Sequence, residues 1–139
     1  MQKLIILFVS LLLSASAIHA IEVPEVVKKA FAQKFPGATS VKWEKENGTE
    51  YEASFMLESK EMSALYTATG ALKEIETEIP VSDLPQAVVD ALNKKHPNAK
   101  ISEAARIDRS DNSVLFETEI KDGIKKIDLL FDGNGQTVY

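Results

Sequence analysis

The sequence repeats itself, and this internal similarity limits the folds open to the chain more than any other feature does. Residues 23–38, an apolar segment closed by Phe-Pro-Gly-Ala, have a counterpart 61 positions later in residues 84–99, which close with His-Pro-Asn-Ala. Self-similarity at a fixed spacing is the signature of a repeated structural unit. We therefore expect residues 22–79 and 81–139 to be two copies of one unit.

A second set of matches extends the similarity along both copies. The Tyr-Glu-Ala-Ser-Phe segment at 51–55 and the turn at 66–70 both recur 65 positions later. The four extra residues are accommodated in one loop, at 109–113. The two copies are too short to be separate large domains, so we expect one domain spanning residues 21–139.

Each copy begins with the pattern of an amphipathic helix. Apolar residues recur every three or four positions from Val23 to Phe35, and again from Leu84 to Leu92. Both patterns stop at a proline, Pro36 in the first copy and Pro97 in the second, because proline cannot continue a helix. The sequence therefore predicts one helix at the start of each copy.

Strands follow each predicted helix. Apolar and polar residues alternate through four short segments per copy, which is typical of strands with one face covered and one face polar. Asn47-Gly48 predicts a tight hairpin, and residues 136–139 are expected to form the last strand of the second copy. The predicted order is α-β-β-β-β twice, an α+β protein with both helices packed on one face of an antiparallel sheet.

The first 20 residues have the pattern of an export signal. Lys3 precedes an apolar run from Leu4 to Leu13, and small residues then allow cleavage after Ala17 or Ala20. The run is too short for a membrane span, which needs about 20 apolar residues. We expect the signal to be removed and the remaining chain to be periplasmic or secreted, with no membrane insertion afterwards.

Charge and composition exclude several classes of function. Removal of Lys3 with the signal leaves 15 basic residues against 21 acidic ones, a net charge of −6. Nucleic-acid binding needs a basic surface, so we expect no nucleic-acid partner. The sequence contains no cysteine, which excludes thiol catalysis, thiolate metal sites and disulfides.

Several segments together resemble the PepSY-like, β-lactamase-inhibitor-like periplasmic proteins. They are the helix end at 35–38, the strand start at 41–43, the strand at 51–55 and the turn at 131–135. The resemblance implies an exported, non-enzymatic module that binds a protein or peptide of the cell envelope, with inhibition as one form of that role. It assigns no cofactor and no metal, and its motifs are structural, so no catalytic residue is carried over. The second copy departs from the pattern, since Glu103 or Ala104 stands where Trp43 would be expected.

Four apolar residues have the strand parity of the face away from the helices. Two interpretations remain open: these side chains form a partner-binding patch, or they cover one another where the copies meet. We add the ring of Trp43, which is more typical of a core but would also suit an interface at a sheet edge. The candidate partner-binding residues are Leu65, Leu130, Met56, Leu115 and Trp43.

An alternative hypothesis is a metal-binding or small-ligand-binding protein. Asp132 opens a turn that resembles the start of a calcium loop, and Glu74, Glu76 and Glu78 form a row on one strand face. A hairpin turn explains the first feature, and a solvated strand face explains the second. His96, the only histidine after signal removal, stands in the position that Phe35 fills in the first copy, so we interpret it as structural and expect no enzymatic activity.

Overall fold

A computed structural model describes residues 21–139, and the expected signal, residues 1–20, lies outside this range. Two α-helices and seven strands follow one another along the described chain, with a short 3₁₀ turn before the second helix. Within this range no helix has the length and apolar character required to cross a membrane. The elements are α1 (Glu25–Lys34), β1 (Thr39–Glu46), β2 (Glu50–Leu57), β3 (Lys60–Thr67), β4 (Leu72–Glu78), α2 (Gln86–Lys95), β5 (Lys100–Arg109), β6 (Val114–Asp122) and β7 (Lys125–Asp132).

All seven strands belong to one antiparallel sheet, in which each strand pairs with its neighbour in sequence, in the order β1 to β7. The predicted α+β class and the antiparallel sheet are therefore confirmed. The two halves of the chain meet through β4 and β5, which pair from Glu74 opposite Arg109 to Glu78 opposite Ala105. The sheet consequently runs through both halves without a break.

The expected eighth strand, residues 136–139, is not formed. Thr137 makes a single bridge to Phe131, and the Val138 N–H donates to the Leu130 carbonyl at 2.8 Å. Tyr139 is almost fully exposed. The segment thus lies beside the end of β7 without forming a further strand.

The two helices begin and end in the same way. Pro24 and Pro85 precede them with nearly identical backbone angles, φ −56° and −55°, and each carbonyl accepts the first helical hydrogen bonds. At the other end, the N–H groups of Phe35 and His96 donate to Phe31 and Leu92 respectively. Proline follows each of these residues and prevents a further turn.

Both helices pack on the same face of the sheet, each over its own apolar cluster. The first cluster joins α1 to the first strands, and the second joins α2 to the last three strands. The buried members of the first are Val23, Val27, Phe31, Phe35, Tyr51, Ala53, Phe55, Ala64 and Tyr66. Those of the second are Leu84, Val88, Leu92, Ala104, Phe116, Ile120 and Phe131.

One glycine turn in each half lies against the start of the local helix. Gly70 and Gly135 have φ of 86° and 78°, a conformation that glycine adopts at low cost. A Cβ on Gly70 would lie 3.1 Å from the Val26 carbonyl oxygen, and one on Gly135 would lie 2.3 Å from the Ala87 carbonyl oxygen. These turns can approach the helix backbone only because they lack a side chain.

Candidate functional site on the helix-free face

The face of the sheet opposite the helices carries apolar side chains that belong to neither cluster. Leu65 and Leu115 are only 4% and 5% exposed, and Ala105 and Ile107 are equally buried. The strand register places all four on the same side, because Leu65 lies opposite Glu52 and Glu74, and Ile107 lies opposite Leu115. We call these four residues the apolar floor.

Carboxyl groups lie directly beside this floor. Glu76 on β4 is opposite Ser63 on one side and Ile107 on the other, and it is 3% exposed. Neither of its carboxyl oxygens has a hydrogen-bond partner within the described part of the chain. Glu74 is also buried, and its Oε1 lies 2.8 Å from Nε of Arg109.

Burial and like charges shift the titration of these carboxyls. Burial, with added repulsion from Glu117, Glu52 and Glu74, raises the pKa of Glu76 to about 9. Burial also raises the pKa of Glu117 to about 7, with further contributions from Asp128 and Glu52. The pKa of Glu52 is likewise raised, mainly by burial, although a hydrogen bond with Ser63 opposes the shift.

The burial of the apolar floor indicates that the sheet is curled toward its helix-free side. The four side chains are at most 5% exposed, although neither helical cluster includes them. The raised pKa of Glu117, to which Glu52 four strands away contributes, agrees with this curl. Register irregularities at the start of β1 and β5 and between β3 and β4 favour such bending. The helix-free face is therefore a trough with converging side chains.

The predicted site residues divide between the two faces. Leu65 and Leu115 belong to the apolar floor, while Met56 and Leu130 share the face and are half-buried. Trp43 lies on the helix side, where its ring meets Phe31 edge-on at 5.3 Å between centroids. The structure thus brings the first four to one face and separates Trp43 from them.

The acidic row does not form a solvated face over its whole length. Glu78 is exposed, but Glu74 and Glu76 are buried. The solvated interpretation was wrong for these two, because Glu74 lies opposite the buried Leu65 and Glu76 lies opposite the buried Ile107. Sequence alternation reports which face a side chain occupies and does not report how far the sheet curls around it.

The turn at Asp132, on which the metal-binding hypothesis depends, has a structural role. One carboxyl oxygen of Asp132, Oδ1, accepts the N–H groups of Asn134 and Gln136, each at 2.9 Å, as expected for the hairpin turn. Among residues 21–139 there is no group of three or more acidic or histidine side chains placed to hold a metal ion. His96 ends α2, and its Nδ1 lies 3.9 Å from a carboxyl oxygen of Asp122.

Comparison with known proteins identifies the family of this chain. The family described as "Putative beta-lactamase-inhibitor-like, PepSY-like" matches the sequence twice, over residues 13–73 and 51–138. Together the two overlapping matches cover nearly the whole chain. The chain belongs to this PepSY-like family.

Solved structures share the fold at low sequence identity. A protein described as a "putative periplasmic" protein from Bacteroides eggerthii has a TM-score of 0.75 at 16% identity, covering 85% of this chain and 87% of its own. A BLIP-like protein from Bacteroides fragilis has a TM-score of 0.67 at 24% identity, covering 87% and 86%. A DUF2874 family protein from Bacteroides uniformis has a TM-score of 0.73 at 17% identity, covering 84% and 86%. No curated protein matches the chain significantly.

Sequence reasoning missed part of this site in the PepSY-like fold. Ile107 and Ala105 belong to the floor, and Arg109 supplies a cation beside Glu74, yet none of the three was singled out. The alternation of β5 places Ala105, Ile107 and Arg109 on one face, so the pattern was present in the sequence. To interpret this alternation, one also needs to know which face of the sheet has no helix.

Proposed function

We propose that this protein is an exported, non-enzymatic binding module that docks a protein or peptide of the cell envelope on the trough of its helix-free face. The trough is the observation that carries the proposal. Its floor is apolar, its sides bear Met56, Leu130 and half-buried carboxyls, and neither helical cluster includes any of these side chains. Interfaces commonly combine an apolar centre with a polar rim in this way.

The family and its structural relatives support the location and the type of activity. The family's description compares its members to β-lactamase inhibitors, and one relative with this fold is named BLIP-like. Another is described as periplasmic. We infer a periplasmic location after removal of residues 1–20, and inhibition of an envelope enzyme is the specific form of binding that these names suggest. Sequencing the N-terminus of the mature protein tests the cleavage after Ala17 or Ala20.

We also propose that the two halves, residues 22–79 and 81–139, are copies of one unit. The helix ends at Phe35 and His96 and the turns at Gly70 and Gly135 support this proposal, because each pair is separated by the offsets seen in the sequence. The missing eighth strand is the main departure. Matched substitutions at Gly70 and Gly135, and at Phe35 and His96, test how similar the two halves are in their contributions to the free energy of unfolding.

Affinity capture with the mature protein tests the binding role. Immobilised wild-type protein is incubated with envelope extract from the source cell, and retained proteins are identified by mass spectrometry. The double variant Met56→Ser, Leu130→Ser should lose the specific partner, since both side chains face the trough and neither is fully buried. Val26→Ser is the matched control, because Val26 is an exposed apolar residue on α1. A partner retained equally by all three proteins would show that the trough is not the docking surface.

A further inference from the structure

Glu76 is the carboxyl group with the fewest hydrogen-bond partners among the buried ones in the described part of the protein. Its carboxyl is buried at the base of the trough and both oxygens lack a hydrogen-bond partner among residues 21–139. Buried polar groups are normally paired, and an unpaired one calls for an explanation such as a missing ligand or ion. The surroundings of Glu76 indicate the chemistry of that ligand.

The groups that face Glu76 are mostly acidic. Arg109 on β5 lies against Glu74 instead of Glu76, and Lys73 and Lys126 are likewise paired with other carboxylates, Glu50 and Glu119. The trough therefore carries an excess of negative charge, which an incoming cation would neutralise. The facing residues on β3, Ser63 and Leu65, do not titrate. The charged and titratable groups around the trough are Glu44 and Glu46 on β1, Glu50 and Glu52 on β2, Lys73, Glu74 and Glu78 on β4, Arg109 on β5, Glu117 and Glu119 on β6, and Lys126 and Asp128 on β7.

The protonation of Glu76 depends on whether a cation occupies the trough. Without a cation, Glu76 avoids an unpaired buried charge by keeping its proton at neutral pH. A cation in hydrogen-bonding contact would favour the charged carboxylate and release that proton to solvent. Binding of a cation at this site is consequently coupled to proton release.

We propose that the trough receives a cationic side chain, arginine or lysine, from a protein partner, held between Glu52 and Glu117 with Glu76 at its tip. This inference rests on the proposed function and names the chemistry of its partner. A guanidinium group offers five N–H donors in a planar fork, which suits carboxylates that come from separate strands. Its aliphatic stem would pack against the apolar floor of Leu65, Ile107 and Leu115.

The minimal probe of this site is N-propylguanidinium chloride, a fragment of an arginine side chain. It is titrated into the mature protein, with the glutamate carboxyls observed by ¹³C NMR, at about pH 6 and about pH 8.5, on either side of the pKa of Glu117 near 7. N-propylurea is the neutral probe of the same shape. We expect saturable shifts of the Glu76 and Glu117 carboxyls with the guanidinium only, tighter binding at the higher pH, and a lowered pKa of Glu76 in the bound state.

Three variants separate the site from the fold. Glu76→Gln keeps the shape of the protonated carboxyl and should weaken guanidinium binding about fivefold or more, while the matched Glu78→Gln, on the exposed end of the same strand, should not. Glu117→Gln should give a second loss of binding, and circular dichroism checks that all three variants fold. No saturable shift, equal shifts with N-propylurea, or unchanged binding by Glu76→Gln would overturn the inference.

The results distinguish this inference from the function on which it rests. If the guanidinium fails to bind but capture of a partner still depends on Met56 and Leu130, the trough is a docking surface for a partner without a buried cation. If capture does not depend on those residues, the docking proposal itself fails, whatever the guanidinium does.

Discussion

The N-terminal core is built largely from aromatic rings, and the C-terminal core is built largely from aliphatic side chains. Phe31 packs against Phe35, Trp43 and Phe55 with ring centroids 5.0 to 5.4 Å apart. Sixty-one positions after Phe31 stands Leu92, and it lies in the second cluster. The same helix-on-sheet arrangement therefore forms around two different packings.

Residue size differs between core positions that the sequence offsets relate. Ala104 stands 61 positions after Trp43 and is smaller, on the first strand of the second half. In the opposite direction, Thr118 on β6 and Leu129 on β7 are larger than Ala53 and Ala64, which stand 65 positions earlier. Cores tolerate such changes when the total volume and the apolar pattern are kept. Each half thus places one helix over its own strands, and the core residues beneath the two helices differ.

The largest expected difference between the halves concerns their glycine turns. Gly135→Ala would place a Cβ 2.3 Å from the Ala87 carbonyl oxygen, and Gly70→Ala would place one 3.1 Å from the Val26 carbonyl oxygen. We expect free energies of unfolding lowered by about 3 kcal/mol or more for the first and about 1–2 kcal/mol for the second, measured by urea denaturation.

Gly48→Ala is the control for these two variants. Gly48 has φ of 75° and no atom within 4 Å of a Cβ, so it reports the backbone strain alone. If Gly135→Ala costs no more than Gly48→Ala, the close approach of turn and helix has no energetic role.

Exchanging the residues that end the two helices tests the contrast between the cores. Phe35→His would place an imidazole against Phe31 and Phe55, whose ring centroids lie 5.4 and 4.7 Å from that of Phe35. We expect a loss of about 2–3 kcal/mol in the free energy of unfolding. The reciprocal His96→Phe should be neutral or stabilising by up to about 1 kcal/mol, since His96 is half-buried at the edge of its cluster. Equal losses in both directions would show that the two helix ends are not packed differently.

The pH dependence of the free energy of unfolding tests the buried carboxyls near the junction between the halves. The pKa values of Glu76, about 9, and Glu117, about 7, exceed the ordinary value of 4.5. The folded chain therefore binds more protons than the unfolded chain at pH values between about 4.5 and 9. Their contribution to stability is fully present below about pH 4.5 and is lost as the pH rises through 7 and then 9. We expect the free energy of unfolding to fall by about 2 kcal/mol per pH unit between pH 5 and 7, where both carboxyls contribute, and by about 1 kcal/mol per pH unit between pH 7 and 9, where Glu76 alone does.

Glu76→Gln should reduce that slope, because the amide does not titrate, and Glu78→Gln should leave it unchanged. Thermal unfolding followed by circular dichroism at several pH values measures both. A wild-type slope that persists in Glu76→Gln would place the titrating group elsewhere.

The smallest expected effect concerns a hydroxyl that one half has and the other lacks. The hydroxyl of Tyr66 is buried without a hydrogen-bond partner in the described chain, and burial raises its pKa to about 12. Phe131 lies 65 positions later and is also buried. Tyr66→Phe should therefore raise the free energy of unfolding by about 0.5–1 kcal/mol, measured by urea denaturation. A loss of stability would mean that the hydroxyl has a partner after all.

Features fixed by neighbouring residues could be predicted from the sequence. The helices end where Pro36 and Pro97 forbid continuation, and the first hairpin turns at Asn47-Gly48, where both residues have positive φ. These outcomes depend on local sterics alone. The alternation of apolar residues also gave the correct face for Leu65 and Leu115, because side chains in a strand point to alternate sides.

Features that depend on the whole sheet could not be predicted. The burial of Glu76 results from its position opposite Ile107 and from the curl of the sheet, and neither follows from the residues next to it in sequence. The eighth strand was expected because its turn is similar to that of the first half, but a turn does not determine how many residues pair beyond it. Trp43 was placed among the binding residues because its ring suits an interface, whereas its strand register directs it to the helices.

The order of the strands has a consequence for how the chain reaches its folded state. Each strand pairs with the one that precedes it in sequence. When the chain emerges with its N-terminus first, the edge with which the next strand pairs is therefore already formed. Folding of this kind can proceed as fast as the chain is delivered, without waiting for distant segments to meet. A protein that crosses a membrane unfolded and one end first would gain directly from such a sequence of steps.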